Sequence, residues 1–220
     1  MSRSSACIGI DVGGPKKGFH AVAIGARSGL QQFASVDAAA VADWCRSLHA
    51  LLIAIDAPCR WRGRGGVRSA ERSLAAAGFR CFWTPTRAAA TGHPTGYYDW
   101  MLAGERLYQA LAQSHPLLSQ WPWNAGPGCF ETFPHAAACR LAGRMLDVRR
   151  KRPLRLAALE SCGVDVRSLE TQDAIDAAVA AMVAHRAATG HAEAMGDSRD
   201  GFIVLPWTPP RGASPTLART

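Results

Sequence analysis

No run of about 18 apolar residues occurs anywhere in the chain, so no membrane-spanning helix is expected. The first residues, Met1-Ser2-Arg3-Ser4-Ser5, lead straight into an apolar strand pattern. They lack the apolar core and small-residue cleavage site of a secretory signal. No CxxC pair occurs among the seven cysteines (7, 45, 59, 81, 129, 139 and 162), which are odd in number and scattered. That pattern excludes a disulfide mini-scaffold and reads as reduced thiols in a cytoplasmic protein. Acidic residues are short as well: 17 Asp and Glu stand against 25 Lys and Arg, for a net charge of +8 and a pI near 9.5. The excess favours a polyanionic partner without naming one. There is no internal repeat and no clear linker. Hydrophobic residues make up 48% of the 220 and charged ones 19%, the balance of an ordinary globular chain. A single domain of this length buries about 70% of the surface its unfolded chain exposes.

Cys7–Val12 is a short β-branched run ended by Gly13-Gly14-Pro15, which predicts a buried strand and a tight turn. Phe19–Ile24 and Leu30–Val36 follow at hairpin spacing, so three antiparallel strands are expected. Asp37 is a good N-cap for a helix carrying Val41, Trp44, Cys45 and Leu48. Leu51–Ile55 is apolar throughout and stops at Asp56-Ala57-Pro58, as a central parallel strand covered on both faces would. Further helices are expected over Ser69–Ala77, from Asp99 through Leu111, and near 135–143, with a fifth strand at Gly128–Phe133. Thr171–Thr189 is the clearest helix, with Ile175, Val179, Met182 and Val183 on one side and Gly190 as its stop. Phe202–Leu205 is a candidate last strand. Residues 1–208 thus read as one domain, and the Pro-, Ser- and Thr-containing 209–220 as a disordered tail. A meander followed by crossovers gives an α/β fold.

The candidate chemistry lies in a few carboxylates. Asp11 ends the first strand and Asp56 the fourth. If those strands are parallel neighbours, the two residues sit about 4.8 Å apart at the carboxyl edge of the sheet, where open α/β sheets place ligands. Like charges buried together call for a cation, and Mg²⁺ suits a site of one or two carboxylates plus water and phosphate. Asp173 and Asp176 lie three apart and project together from one helix face. Acids in a first turn also simply complement the helix dipole. Glu131 alternates away from Phe130 and Thr132. It reads equally as an outward glutamate on an edge strand or as a further site carboxylate. Glu71, beside Arg68 and Arg72, reads as a partner in a surface ion pair. His135 and Cys139 lie four apart, a spacing a metal can use, but a cysteine packed as a small hydrophobe is the preferred reading.

Six pieces in order carry a resemblance to a known family: Gly9-Ile10-Asp11-Val12-Gly13-Gly14, Ala54-Ile55-Asp56-Ala57-Pro58, Arg68-Ser69-Ala70-Glu71-Arg72, Glu131-Thr132-Phe133-Pro134, Asp173-Ala174-Ile175-Asp176-Ala177 and Gly201-Phe202-Ile203-Val204-Leu205-Pro206. The chain resembles an uncharacterised bacterial and archaeal family, a domain of unknown function described as predicted nucleases of the ribonuclease H fold. The resemblance implies a ribonuclease H-like, five-stranded mixed sheet, with the first three strands antiparallel, the rest parallel, and helices on both faces. The acids also look like those of the RuvC-type Holliday junction resolvases, which place one on strand one, one on strand four and a pair on the last helix. The chain departs from them in having Asp56 where the resolvases use Glu.

The expected activity is a metal-dependent nuclease. Two Mg²⁺ or Mn²⁺ ions about 3.5–4 Å apart would be held by Asp11, Asp56, Asp173 and Asp176, with Glu131 as an added catalytic candidate. Lys16, Lys17, Arg60, Arg62, Arg64 and Arg68, with the run Arg149-Arg150-Lys151-Arg152 and Arg155 beyond it, are the expected grip on a nucleic-acid backbone. A solvated surface loop is the plain alternative for each basic cluster. A resolvase would need a homodimer. The rival functions are an ATP-using protein of the actin and sugar-kinase type, a non-catalytic nucleic-acid binder and a small-molecule phosphoesterase. The first usually needs two such domains and a second glycine loop, and no glycine loop precedes Thr171.

Overall fold

Period-two burial organises the centre of the molecule. In β1 (Cys7–Val12), Cys7 joins one core cluster while Ile8, Ile10 and Val12 join another on the opposite face. In β4 (Leu52–Asp56), Leu52 and Ala54 fall on the first face, Ile53 and Ile55 on the second. The structure is a computed structural model and describes residues 6–26, 29–63 and 66–207. The expected tail 209–220 lies outside the described residues.

β1 pairs antiparallel with β2 (Phe19–Ala26), which pairs antiparallel with β3 (Gly29–Ser35). On its other side β1 pairs parallel with β4, β4 with β5 (Gly128–Glu131), and β5 with β7 (Gly201–Pro206). β6 (Ala192–Asp197) closes the edge antiparallel to β7. The order is β3-β2-β1-β4-β5-β7-β6, an α/β mixed sheet consistent with a ribonuclease H-like fold. Among the described residues it has seven strands: the five expected, the candidate last strand as β7, and β6 in addition. β6 escapes sequence reading because Ala-Glu-Ala-Met-Gly-Asp has little strand character, and pairing with β7 imposes its conformation.

Helices cover both faces. α1 (Ala38–Ser47) and α4 (Asp99–Leu111) pack on the face of Ile8, Ile10 and Ile53. Asp37 caps α1 as expected, its Oδ1 accepting from Ala39 N at 2.9 Å. α2 (Ser69–Ala76), α5 (Pro134–Leu141), α6 (Lys151–Glu160) and α7 (Gln172–Ala188) pack on the other face. A short α3 (Arg87–Thr91) lies in the irregular region before α4.

α7 is the central helix. Thr171 Oγ1 accepts from Ala174 N at 3.1 Å to cap its start, and Gly190, at φ +75°, follows its end. The expected one-sided stripe is an underestimate. Residues 174–184 are buried without a break, because the alanines opposite Ile175 and Val179 are themselves enclosed. They lie against β1, which is possible because residue 9 carries no side chain. A Cβ on Gly9 would stand 2.1 Å from Ala177 O and 2.0 Å from Ala181 N. Both are backbone atoms of a buried helix and have nowhere to move.

Gly9→Ala is therefore expected to cost at least about 3 kcal/mol, the upper range for overpacking, or to prevent folding. Gly14→Ala, where nothing lies within 4 Å of the added Cβ, is the neutral control. Urea denaturation of both variants checks this.

Candidate functional site

The close seat of α7 on β1 decides where its acids go. By the alternation that sends Cys7 and Gly9 toward α7, Asp11 faces the same helix, and Asp56 does so beyond Leu52 and Ala54. The parallel register sets Asp11 directly opposite Asp56. Gly9 sits beneath Ala177, Ala180 and Ala181, so the first turn of α7 reaches the carboxyl end of the strand. Asp173 and Asp176 are thereby delivered to Asp11 and Asp56. Asp11 and Asp56 stand side by side at one edge of the sheet, with Asp173 and Asp176 near enough for their charges to act on Asp11.

Their electrostatics follow from this crowding. Asp11 is partly buried, and its carboxyl is pushed up to about 7. Loss of water is the main cause, followed by the charges of Asp176 and Asp173; Lys17 and Arg155 oppose the rise. The Asp56 carboxyl is held well above its ordinary range, first by burial and then by Asp11 and Asp176. Among the described residues neither Asp11 nor Asp56 has a hydrogen bond or ion pair from its side chain.

The helix acids are already engaged. Arg155 of α6 donates to Asp176 Oδ1 from inside the protein, and Gln172 Nε2 donates to the same oxygen at 2.7 Å. Lys17 Nζ lies 3.1 Å from Asp173 Oδ1, with His20 Nε2 3.7 Å from Oδ2. Among the described residues, no group of three or more His, Cys, Asp or Glu side chains is disposed to hold a metal ion. Arg155 corrects an expectation. It does not extend the surface track of basic residues but sits buried as a counter-charge among the acids. The phase of α6 carries the signal, since Arg155 falls with Ala158 and Leu159 on the buried stripe.

Glu131 and Arg68 differ from expectation more sharply. β5 lies between β4 and β7, so Glu131 is not on an edge. Level with Ile55, it alternates to the opposite face from Asp56. Arg68, with only 1% of its surface exposed, forks onto it: Nη2 donates to Oε2 at 2.5 Å and Nη1 to Oε1 at 3.2 Å. The Cys59 amide donates to Oε2 at 2.9 Å. Arg68 cannot grip a nucleic acid from that depth, and Glu131 is committed to it. Glu71 is buried too and is no surface ion-pair residue. Its Oε1 accepts from Thr84 N at 3.0 Å and from Thr84 Oγ1 at 2.5 Å, while its Oε2 has no partner. Burial raises its carboxyl. Glu71 sits one position after Ala70 and three before Leu74, both buried, which marks its inward face.

Most of the other basic candidates among the described residues are at the surface. Lys16 and Lys17 are exposed on the turn after β1, and Arg60 is exposed just beyond Asp56. Arg60 lines a groove of about 650 Å³ with Arg72 and Arg199. Arg62 is partly buried, and Arg64 lies outside the described residues. Arg149, Arg150, Lys151 and Arg152 are exposed where α6 begins. Cys139 is buried, with its Sγ accepting from Leu146 N at 3.3 Å and 3.9 Å from His135 Nε2, a packed thiol rather than one of a ligand group. All seven cysteines are free. Among the described residues no helix is long and apolar enough to cross a membrane.

The family described as "Protein of unknown function (DUF429)" matches residues 9–200, a span that takes in every one of these acids. No curated protein and no solved structure shows a significant match.

Two outcomes follow from the buried charges. Because folding raises the Asp11 carboxyl from 3.8 to about 7, the folded state holds that proton more tightly than the unfolded chain. Its contribution to stability is full below about pH 4, declines as pH rises toward 7, and is lost above. Asp11→Asn should thus stabilise the protein at about pH 8, by roughly 2 kcal/mol, and lose that advantage near pH 4. Urea denaturation at both pH values reads this directly. Arg68→Leu should cost about 3–5 kcal/mol by stranding Glu131 and Glu71 without a counter-charge, measured in the same way.

Proposed function

The chain belongs to the DUF429 family, and from that premise and its site we propose that it is a metal-dependent nuclease hydrolysing phosphodiester bonds in nucleic acid. One observation carries the reading: Asp11 beside Asp56, at the ends of adjacent parallel strands, crowded by further acids and without a hydrogen-bonded cation of their own. Two carboxylates in that position must either keep a proton or take up a cation. The RuvC-like distribution of acids over β1, β4 and α7 supports the same reading.

The donor set fits a hard divalent ion held by Asp11 and Asp56 with water and substrate phosphate completing its shell. Mg²⁺ or Mn²⁺ bound there supplies an activated water and neutralises charge on the phosphate. For that purpose Asp11 and Asp56 must be ionised, and their raised carboxyls make this easier as pH increases. Asp173 and Asp176 are the candidates for a second ion, and they serve it only when released from Lys17 and Arg155. Lys16, Lys17 and Arg60, with the Arg60–Arg72–Arg199 groove, offer positive charge beside the acids for the backbone of a substrate. The exposed run Arg149–Arg152 adds a second basic patch. Substrate contact through Lys17 would also free Asp173.

Arg155 favours a second reading, in which it neutralises the acids permanently and the protein binds nucleic acid without cutting it. Mn²⁺-dependent cleavage of single-stranded, duplex, hybrid and branched substrates decides between the two. A nuclease should cleave at least one of them, and Asp11→Asn or Asp56→Asn should lower the rate at least about 100-fold while leaving salt-sensitive binding intact. Binding with no cleavage above the Asp11→Asn background would replace the nuclease by the binder.

A further inference from the structure

A second cavity opens on the carboxyl edge of the sheet beside Asp56, with a volume of about 200 Å³. That is less than the roughly 300–1,000 Å³ of a site for a drug-sized ligand, so it suits one ring system rather than a whole cofactor. Its walls are apolar and aromatic, with Trp100, Phe133 and Ile203 among them, and Phe82, 64% exposed, at its edge. Its polar groups are nearly all spent within the protein. Thr132 donates its hydroxyl to Val204 O at 2.8 Å, and Thr84 donates its own to Glu71 Oε1. Both oxygens of Glu131 are taken by Arg68 and the Cys59 amide.

Two acceptors remain, Asp56 and Glu71 Oε2. The second is a buried carboxylate oxygen with no hydrogen-bond partner, on a residue that is 2% exposed and lines the cavity. Leaving such an atom unpaired is costly, and a native protein that does so has a use for it or a ligand to satisfy it. The Arg68 guanidinium, 3.4 Å from Glu71 Oε1, already sets a cation beside this carboxylate, so the missing partner of Oε2 is an N–H or O–H donor. A flat ring that fills an aromatic cavity and presents a donor to a carboxylate has the chemistry of a nucleobase with an amino group.

We infer that this cavity receives a single unstacked nucleobase carrying an exocyclic amino group, and that Glu71 Oε2 accepts from that group. The inference rests on the nuclease reading in that it seats the base beside the acids that would act on its phosphate. Cytosine, adenine and guanine each carry the required N–H₂. Uracil and thymine carry only carbonyls flanking one N–H, and these would face carboxylate oxygen. Base preference in this protein would then come from Glu71, outside the acid cluster.

Equilibrium binding of cytidine and uridine in the presence of a chelator tests this without any cleavage. Cytidine and uridine match in size and differ at position 4, amino against carbonyl, and at N3, acceptor against N–H. Cytidine should bind about tenfold tighter than uridine, the worth of one good base contact. In Glu71→Gln the Thr84 contacts can be kept by the amide oxygen while an N–H₂ replaces Oε2, so the preference should vanish or reverse. Phe82→Ala, an exposed substitution that leaves the core intact, should weaken both nucleosides alike. Equal affinities for the two nucleosides, no binding of either, or displacement of cytidine by micromolar spermidine would overturn the inference. A preference for cytidine in a protein that cleaves nothing would uphold the base site while removing the nuclease reading.

Discussion

The absence of a side chain at residue 9 governs the separation between α7 and β1, and most of the molecule depends on that distance. With hydrogen alone at Gly9, the backbone of α7 lies against the strand, and alanines suffice to fill the interface. A larger residue would lift the helix and carry its first turn away from the strand ends. The four acids lie near one another because three periodicities agree. The strand period aims Asp11 and Asp56 at one face, the parallel register levels them, and the helix period aligns Asp173 with Asp176.

Features that depend on local pattern are legible in the sequence. The apolar runs that end at Asp11 and Asp56, the Asp37 cap and the span of α7 all follow from neighbours in sequence, and the α/β mixed sheet follows from their order. Pairings between distant residues were not legible. Arg68 and Glu131 are 63 positions apart, and Arg155 and Asp176 are 21 apart, so no window of sequence contains the choice of partner. Helical phase does hold a trace of it. Arg155 and Glu71 occupy stripes otherwise filled by Ala and Leu, and a charge on such a stripe has to be matched inside the protein. β6 was hidden for a different reason: its residues have little preference of their own and take the conformation that β7 imposes.

The net charge of +8 also divides by depth. Exposed cations lie on the turn after β1, beyond β4 and at the start of α6, whereas two arginines, 68 and 155, lie buried. Each buried arginine faces carboxylates on other elements, and its desolvation is tolerable only through that geometry. Arg68 joins α2, the end of β5 and, through Asp200 O, the turn before β7. It therefore braces one end of the sheet, while Arg155 balances charge among the acids. Residues of one chemical type thus serve as surface charge, internal brace and internal counter-ion according to depth.

The seat of α7 bears on the order in which the protein can be made. β1 leaves a ribosome well ahead of the helix that covers it, which spans Gln172–Ala188. Until those residues emerge, one face of β1 and β4 has no cover, and Leu52 and Ala54 stay open to water or to other chains. Contacts that join residue 9 to residues 177–181 have high sequence separation, which slows folding and prolongs that exposure. The packing that gathers the acids is also the packing that must wait longest during synthesis.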